Sequence, residues 1–195
     1  MNIDFYFDFI SPYSYLAATQ IADFENTHGV DCNWIPLSLP RLLQLSGNIS
    51  PAAIKNKAIY SLRDLKRWAT YLDVPFKMIR PGTFDSRPAL RIAATLQGRD
   101  RGKFCLQIFE CLWSGEIDPA NKNWLDQIFR IRQLPADYKD LCSESFEDYA
   151  HKAFAAGAFG APTFILEHRG HPQMFFGIDH MDFLGRACQQ VNTKG

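Results

Sequence analysis

Ser11 is the residue of this sequence whose position most favours chemistry. It stands directly before Pro12, where a segment of alternating apolar residues ends, and serine followed by proline is typical of a helix N-terminus. A serine there either caps the helix or donates its hydroxyl to a bound anion, because the first N–H groups of a helix favour negative charge. No Gly-x-Ser-x-Gly motif surrounds Ser11, so we do not expect a hydrolase triad.

A second candidate motif is Ala161-Pro162-Thr163, which opens a segment of strand-forming residues. Proline at the start of a strand is commonly a turn or edge residue. The alternative is a cis peptide bond, which leaves the backbone before it free to pair with an extended peptide ligand.

Polar residues elsewhere also allow two interpretations each. Asn48 is a turn residue or a ligand contact, and Asp179 is the N-cap of the last helix or an acceptor for an ammonium group. Spacings of three and four place a polar stripe on one helix face, which is either solvated or basic enough to bind an anion. The stripe consists of Lys57, Tyr60, Asp64 and Arg67.

Several functional classes are not expected. Lys+Arg and Asp+Glu both number 21, so no net field attracts nucleic acid or an anionic membrane. No apolar run approaches the roughly 20 residues that span a bilayer. His168-x-x-His171 lacks acidic or cysteine companions, so we expect no metal. The five cysteines form no Cys-x-x-Cys and indicate a reduced, cytoplasmic protein.

The elements that must position these residues follow from periodicity. Residues 3–9 alternate as a strand, 12–26 predict a helix ending before Gly29, and 31–37 predict a second strand. Residues 163–166 and 173–176 predict a hairpin around Gly170, and the last helix runs from Asp179 to about residue 191.

Between these parts, every strong signal from residue 41 to 156 is helical. Ser50-Pro51 begins one helix, and others cover 86–97, a stretch ending at Gly115, and stretches capped by Asn123 and Ser145. The apolar face of the first of these helices comprises Ile54, Ala58, Leu62, Leu65, Ala69 and Leu72.

This order predicts an α/β thioredoxin-like fold with a large inserted all-helical domain. We expect residues 1–40 and 157–195 to form the thioredoxin-like domain. Residues 41–156 are the predicted insertion, which builds one wall of a cleft beside Ser11.

Several segments, in this order along essentially the whole chain, closely resemble 2-hydroxychromene-2-carboxylate isomerases and kappa-class glutathione transferases. Both belong to the DsbA-like branch of thioredoxin folds. The segments are FYFDFISPYSYLA (5–17), GNISP (47–51), Lys57-x-x-Tyr60-x-x-x-Asp64-Leu65-x-Arg67-Trp68, FGAPT (159–163) and FGID (176–179).

The resemblance implies a glutathione cofactor. Disulfide oxidoreductases of this fold have Cys-x-x-Cys where this chain has Ser11-Pro12-Tyr13-Ser14, and two hydroxyls cannot carry out thiol–disulfide exchange. The resemblance makes Ser11 the catalytic residue, donating to the glutathione sulfur. It implies further contacts to the glycyl end, the cysteinyl main chain and the γ-glutamyl end. These come respectively from Asn48 and Lys57, from the backbone of Ala161 before a cis Pro162, and from Ile178 and Asp179.

Three functions stay open on the sequence. The first is an isomerase, in which glutathione adds reversibly to an unsaturated 2-oxo acid of aromatic catabolism and is regenerated. The second is a kappa-class transferase that conjugates small electrophiles, and the third is a glutathione- or peptide-binding module without activity. His180 stands where the family often has Arg, which favours the third. We favour the isomerase, as a homodimer, with Trp34, Phe84 and Trp113 as candidates for the substrate pocket.

Overall fold

A four-stranded mixed sheet forms the centre of the computed structural model, which describes residues 2–168 and 171–193. The strand order is β2-β1-β3-β4, with β1 parallel to β2 and antiparallel to β3, and β4 antiparallel to β3. The strands are β1 (Asn2–Phe7), β2 (Asp31–Pro36), β3 (Thr163–His168) and β4 (His171–Phe176). The predicted hairpin is therefore confirmed, while the turn expected at Gly170 lies outside the described residues.

Strand β1 is buried because its alternating residues supply both faces of the sheet. Phe5 lies opposite Trp34 of β2 and Phe164 of β3, and its ring stacks on those of Phe7 and Phe164 at 5.3 and 5.0 Å. Tyr6 points to the other face, into a smaller apolar cluster. The alternation predicted from the sequence therefore places the aromatic residues in the main core.

The predicted helices occur in the predicted order, together with one further helix at residues 39–46 that was not predicted. Their bounds are α1 (Pro12–Ala18), α2 (Ile21–His28), α3 (Leu39–Ser46), α4 (Lys55–Tyr71), α5 (Arg87–Thr95), α6 (Gly98–Trp113), α7 (Trp124–Ile131), α8 (Ser145–Ala155) and α9 (Met181–Thr193). Helices α3 to α8 form the inserted helical segment, residues 39–155. The domain boundaries expected at residues 40 and 157 stay a prediction.

The prediction of one helix over residues 12–26 was wrong, because the chain breaks between α1 and α2. The Thr19 hydroxyl donates to the Leu16 carbonyl at 2.8 Å, and the Gln20 N–H donates three residues back to Ala17 at 3.0 Å. These contacts tighten and end the last turn of α1. Gly29 terminates α2 with φ 64°, as predicted.

The start of α4 also differs from the prediction. Ser50 caps a short 3₁₀ turn, Pro51–Ala53, and α4 begins only at Lys55. Leu65 and Ala69 are buried as predicted, but Ile54 and Leu62 are exposed, because only the C-terminal half of α4 packs against the core.

The predicted side-chain caps of two other helices are absent. Asn123 precedes α7 but makes no side-chain cap hydrogen bond. Ser145 is the first residue of α8 rather than its cap, and its N–H donates to the Ser143 hydroxyl at 3.2 Å. Among the residues that the structure describes, no helix is long and apolar enough to cross a membrane.

Candidate functional site

Ser11 lies in the turn between β1 and α1 and is almost completely buried. Its N–H donates to the Asp8 carbonyl at 3.0 Å, and its Oγ accepts from the Ser14 N–H at 3.1 Å, so the hydroxyl caps α1. The same hydroxyl donates to the Ala161 carbonyl at 3.1 Å. Ser11 therefore caps a helix and also contacts the second motif that the sequence singles out.

The cis-proline loop, residues 159–163, supplies that contact. The Ala161–Pro162 peptide bond is cis, as one of the two sequence interpretations requires. The Thr163 hydroxyl donates to the Gly160 carbonyl at 2.8 Å within the loop, and the Gly177 N–H donates to the Pro162 carbonyl at 3.0 Å from a turn outside it. The start of β3, the turn before α9 and the Ser11 turn are thus joined through this loop.

Asn48, which belongs to the inserted helical segment, also contacts the cis-proline loop. It follows Gly47, which ends α3 with φ 66°. The Asn48 Nδ2 donates to the Phe159 carbonyl at 2.9 Å, and its Oδ1 accepts from the Ile49 N–H at 2.8 Å. The side chain therefore fixes the loop after α3 against the cis-proline loop.

Lys57 lies on the exposed first half of α4. It lines an open pocket of about 350 Å³ with Pro51, Asn56, Tyr60 and Ser61. The structure shows no ion pair of Lys57 with the residues that it describes. Its ammonium is therefore available to an anion that enters this pocket.

A hydrogen bond from Tyr13 to Asp64 connects α4 with the Ser11 turn. The Tyr13 hydroxyl donates to Asp64 Oδ2 at 3.0 Å. Burial, followed by the contact with Asp64, raises the pKa of the Tyr13 phenol well above its usual range. The polar stripe of α4 is thus partly a structural contact rather than a solvated face.

Asp179 does not stand directly before the last helix, so its prediction as the N-cap of that helix was wrong. It lies within a 3₁₀ turn, Ile178–His180, that follows Gly177 and precedes α9. Its carboxylate is mostly exposed, 3.5 Å from His180 Nδ1. A Cβ at Gly177, where φ is 91°, would overlap Asp179 Oδ1, so glycine leaves room for this carboxylate. Ile178 is buried.

The three aromatic residues expected to line the substrate pocket lie in or against the core. Trp34 packs against Phe5 at 5.1 Å, and the buried Trp113 donates its Nε1 to the Phe9 carbonyl at 3.0 Å, close to the Ser11 turn. Phe84 packs edge-on against Trp124. None of the three lines the pocket beside Lys57, and their role toward a substrate stays a prediction.

Asp8, a fully buried carboxylate three residues before Ser11, is a residue of this region that was not predicted. Burial raises its pKa to about 6, although hydrogen bonds from Leu39 and Ser86 lower it in part. The available signal was an acidic residue between two phenylalanines of the predicted strand 3–9, but its burial depends on helices distant in sequence.

Residues 2–168 and 171–193 contain no group of three or more His, Cys, Asp or Glu side chains placed to hold a metal ion. All five cysteines are free. The candidate residues on these elements offer hydroxyls, an amide, a carboxylate, an ammonium and backbone groups, which are the groups that suit a small ligand carrying both charges.

Comparison with known proteins identifies the family. A family model described as DSBA-like thioredoxin domain matches residues 2–189. A 2-hydroxychromene-2-carboxylate isomerase of Sphingobium xenophagum is 31% identical over 194 residues, covering 94% of this chain and 95% of that protein. The chain belongs to the DsbA-like thioredoxin family.

Two further relatives of this DsbA-like protein agree with the sequence analysis. Glutathione S-transferase kappa 1 of Caenorhabditis elegans is 28% identical over 97% of this chain and 91% of its own length. A solved structure of 2-hydroxychromene-2-carboxylate isomerase superposes with a TM-score of 0.81 at 25% identity and covers 100% of both chains. The predicted fold and the predicted resemblance to these two groups are confirmed.

Proposed function

We propose that this DsbA-like protein is a glutathione-dependent isomerase that acts on an unsaturated 2-oxo acid of the 2-hydroxychromene-2-carboxylate type. The observation that carries the proposal is the contact between the Ser11 hydroxyl and the Ala161 carbonyl, beside a cis proline. A hydroxyl occupies the position of a redox cysteine, next to backbone that can pair with a peptide. The isomerase name of the Sphingobium xenophagum relative supports the same reaction class.

The residues at the site fit glutathione, which carries two carboxylates and one ammonium. Lys57 offers a cation without an ion-pair partner among the described residues, and Asp179 offers an exposed carboxylate. Asn48 offers a side-chain amide, and Ala161 offers a backbone peptide group. We propose that Lys57 and Asn48 hold the glycyl end, while Asp179 and the backbone of Ile178 hold the γ-glutamyl end.

Ser11 has the chemistry needed to hold a thiolate. The Ser11 hydroxyl donates a hydrogen bond to the Ala161 carbonyl. If a peptide N–H of a bound ligand donated to that carbonyl instead, the hydroxyl would be free to turn toward sulfur. The hydroxyl oxygen would keep the hydrogen bond that it accepts from the Ser14 N–H. Bound glutathione would supply the nucleophilic thiolate for reversible addition, which lets a double bond rotate. Ser11 itself stabilises charge and does not become a nucleophile.

A kappa-class transferase is the second candidate, favoured by the similarity to glutathione S-transferase kappa 1. It differs in one observable, because a transferase consumes one glutathione for each product while an isomerase regenerates it. A binding module without turnover is the third candidate. His180, in a position where we expect arginine from the family, is the feature that favours it.

The free state of all five cysteines supports a cytoplasmic location, where thiols stay reduced. The small-molecule partner is an electrophile that enters beside Ser11. The homodimer stays a prediction, and light scattering of the purified protein measures it.

The deciding experiment follows 2-hydroxychromene-2-carboxylate by absorbance at catalytic and at stoichiometric glutathione. An isomerase converts many substrate molecules for each glutathione, and free thiol stays constant. Loss of thiol in proportion to product supports the transferase instead. Glutathione at about 100 times its dissociation constant should also stabilise the fold by roughly 2.7 kcal/mol, measured as a thermal shift. No turnover and no thermal shift would contradict glutathione dependence altogether.

A further inference from the structure

Asp8 is a fully buried carboxylate beneath the Ser11 turn that the proposed chemistry does not use. Its Oδ1 accepts from the Ser86 hydroxyl at 2.7 Å and from the Ile10 N–H at 3.2 Å. Its Oδ2 accepts from the Leu39 N–H at 2.8 Å. One side chain therefore holds three parts of the chain that are far apart in sequence.

Each of these partners begins an element or a turn of the site. Leu39 is the first residue of α3, and Ser86 directly precedes α5. Ser86 makes no cap hydrogen bond to α5, so its hydroxyl is committed to Asp8. Ile10 precedes Ser11 in the turn. The carboxylate thus connects the inserted helical segment with the Ser11 turn directly.

The contacts of Asp8 close a ring around the candidate site. Its carboxylate holds Leu39 at the start of α3, and the Asn48 amide beyond the end of α3 holds the cis-proline loop. In that loop, the Ala161 carbonyl accepts a hydrogen bond from the Ser11 hydroxyl. The Ser11 N–H donates to the Asp8 carbonyl, which closes the ring. A change at Asp8 can therefore alter the spacing between Ser11 and Asn48 without contact with a ligand.

We propose that Asp8 is a positioning residue whose ionised carboxylate sets α3 against the Ser11 turn, so that Asn48 and Ser11 meet the same bound ligand. The inference rests on the proposed glutathione site and deepens it. Asp8 acts through its hydrogen bonds, and it touches neither ligand nor reacting atoms.

The ionised form is retained at a cost to the fold. Burial raises the pKa of Asp8 to about 6, and the hydrogen bonds from Leu39, Ser86, Ile10 and Phe9 lower it only in part. No charged side chain of the described residues is among the causes of this pKa change. An uncharged residue would avoid the cost, so the charge is best explained by the strength of the bonds it accepts, since ionised acceptors bind about twice as strongly as neutral ones.

The test measures the dissociation constant of glutathione by calorimetry from about pH 5 to about pH 8, for wild type, Asp8→Asn and Ser86→Ala. Asp8→Asn mimics the protonated acid, so it should bind about tenfold more weakly at neutral pH, as expected for loss of one hydrogen bond to a charged acceptor. The ratio of the two constants should approach one below about pH 6. Ser86→Ala removes a hydrogen bond that lowers the pKa of Asp8. The pH at which the affinity for glutathione changes should therefore be higher in this variant than in wild type.

The matched control is Asp4→Asn on the same strand. Asp4 is half-buried and accepts from Asn33 Nδ2 at 3.0 Å in a solvent-exposed hydrogen bond, so this variant should bind glutathione like wild type at every pH. Asp8→Asn that binds like wild type, or a ratio that stays constant with pH, would overturn the proposal. Should Asp8→Asn not fold, the pH of the Ser86→Ala transition decides in its place.

A second readout separates this inference from the proposed function. Hydrogen exchange of residues 39–48 should be faster in Asp8→Asn than in Asp4→Asn without any ligand. If wild type does not bind glutathione, the proposed function fails, while exchange still tests the role of Asp8 in holding α3. Equal exchange in both variants would overturn the positioning role.

Discussion

Replacing Lys57 with alanine should weaken glutathione binding while leaving the fold intact. Lys57 is exposed on α4, lines the 350 Å³ pocket and makes no ion pair with the described residues, so its removal leaves no buried group without a partner. We propose that it meets a glutathione carboxylate. The variant loses that attraction and nothing else.

The exposure of Lys57 limits the size of the effect. Ion pairs in contact with water are worth about 0.2 to 1 kcal/mol, so the dissociation constant should rise by roughly 1.4- to 5-fold. The field of an exposed charge is screened over about 10 Å at 0.1 M salt, so the difference between wild type and variant should shrink as salt is added. A shielded contact would instead keep its full effect in salt.

Calorimetry of glutathione binding at low and high salt measures both quantities. Lys66→Ala is the control, because Lys66 is exposed on the same helix, nine residues after Lys57 (66 − 57) and therefore about 180° around it. The control should bind like wild type at each salt concentration. Equal affinity of wild type and Lys57→Ala, or an equal loss in Lys66→Ala, would refute the assignment of Lys57 to a ligand carboxylate.

The remaining predictions concern the framework of the site. Tyr13→Phe and Asp64→Asn should each destabilise the fold, and a double-mutant cycle by denaturant unfolding should give a coupling of about 1 kcal/mol; additive effects would contradict the contact at 3.0 Å. Gly160→Ala should cost about 1 to 3 kcal/mol in thermal unfolding, because its Cβ would lie 2.8 Å from the Phe176 ring; unchanged stability would contradict this packing. Asp8 has a native pKa of about 6 against 3.8 unfolded, so the native state binds its proton more tightly and stability rises as pH falls through this window. Relative to Asp8→Asn, wild type should gain up to about 3 kcal/mol between neutral pH and about pH 4, and no difference in this pH dependence would contradict the burial of a charged Asp8.

The parts of the fold that were predictable depend on local patterns. Strand β1 was predictable because Ile3, Phe5 and Phe7 alternate with more polar residues, and the boundary at Ser11-Pro12 uses residues that suit a helix start. The order of elements then restricts the fold to a few topologies. The contact between Ser11 and Ala161 follows from that order, since it joins the ends of neighbouring strands β1 and β3.

The parts that were not predictable depend on tertiary packing. Ile54 and Leu62 are exposed because only the C-terminal half of α4 packs against the core. The periodicity of apolar residues does not show at which residue a helix stops packing against the core. The 3₁₀ turn that contains Asp179 and the break after Thr19 are formed by local hydrogen bonds and leave no composition signal in the sequence. Asp8 is the clearest case, because its burial is created by two segments more than 30 and 70 residues away.

The central claim, that Ser11 holds a thiolate and does more than cap α1, is tested most directly by titrating bound glutathione. The ultraviolet absorbance of the thiolate is followed against pH for the saturated complexes of wild type and Ser11→Ala. Because Ser11→Ala loses a cap worth about 1 kcal/mol, its folding and saturation are first verified by circular dichroism and calorimetry. A hydrogen bond to a charged acceptor is worth about 1.5 to 3 kcal/mol, so the pKa of the bound thiol should lie below that of free glutathione and rise by roughly one to two in Ser11→Ala. Titration of both complexes at the same pH, with equal turnover, would contradict the account and leave Ser11 as a helix cap.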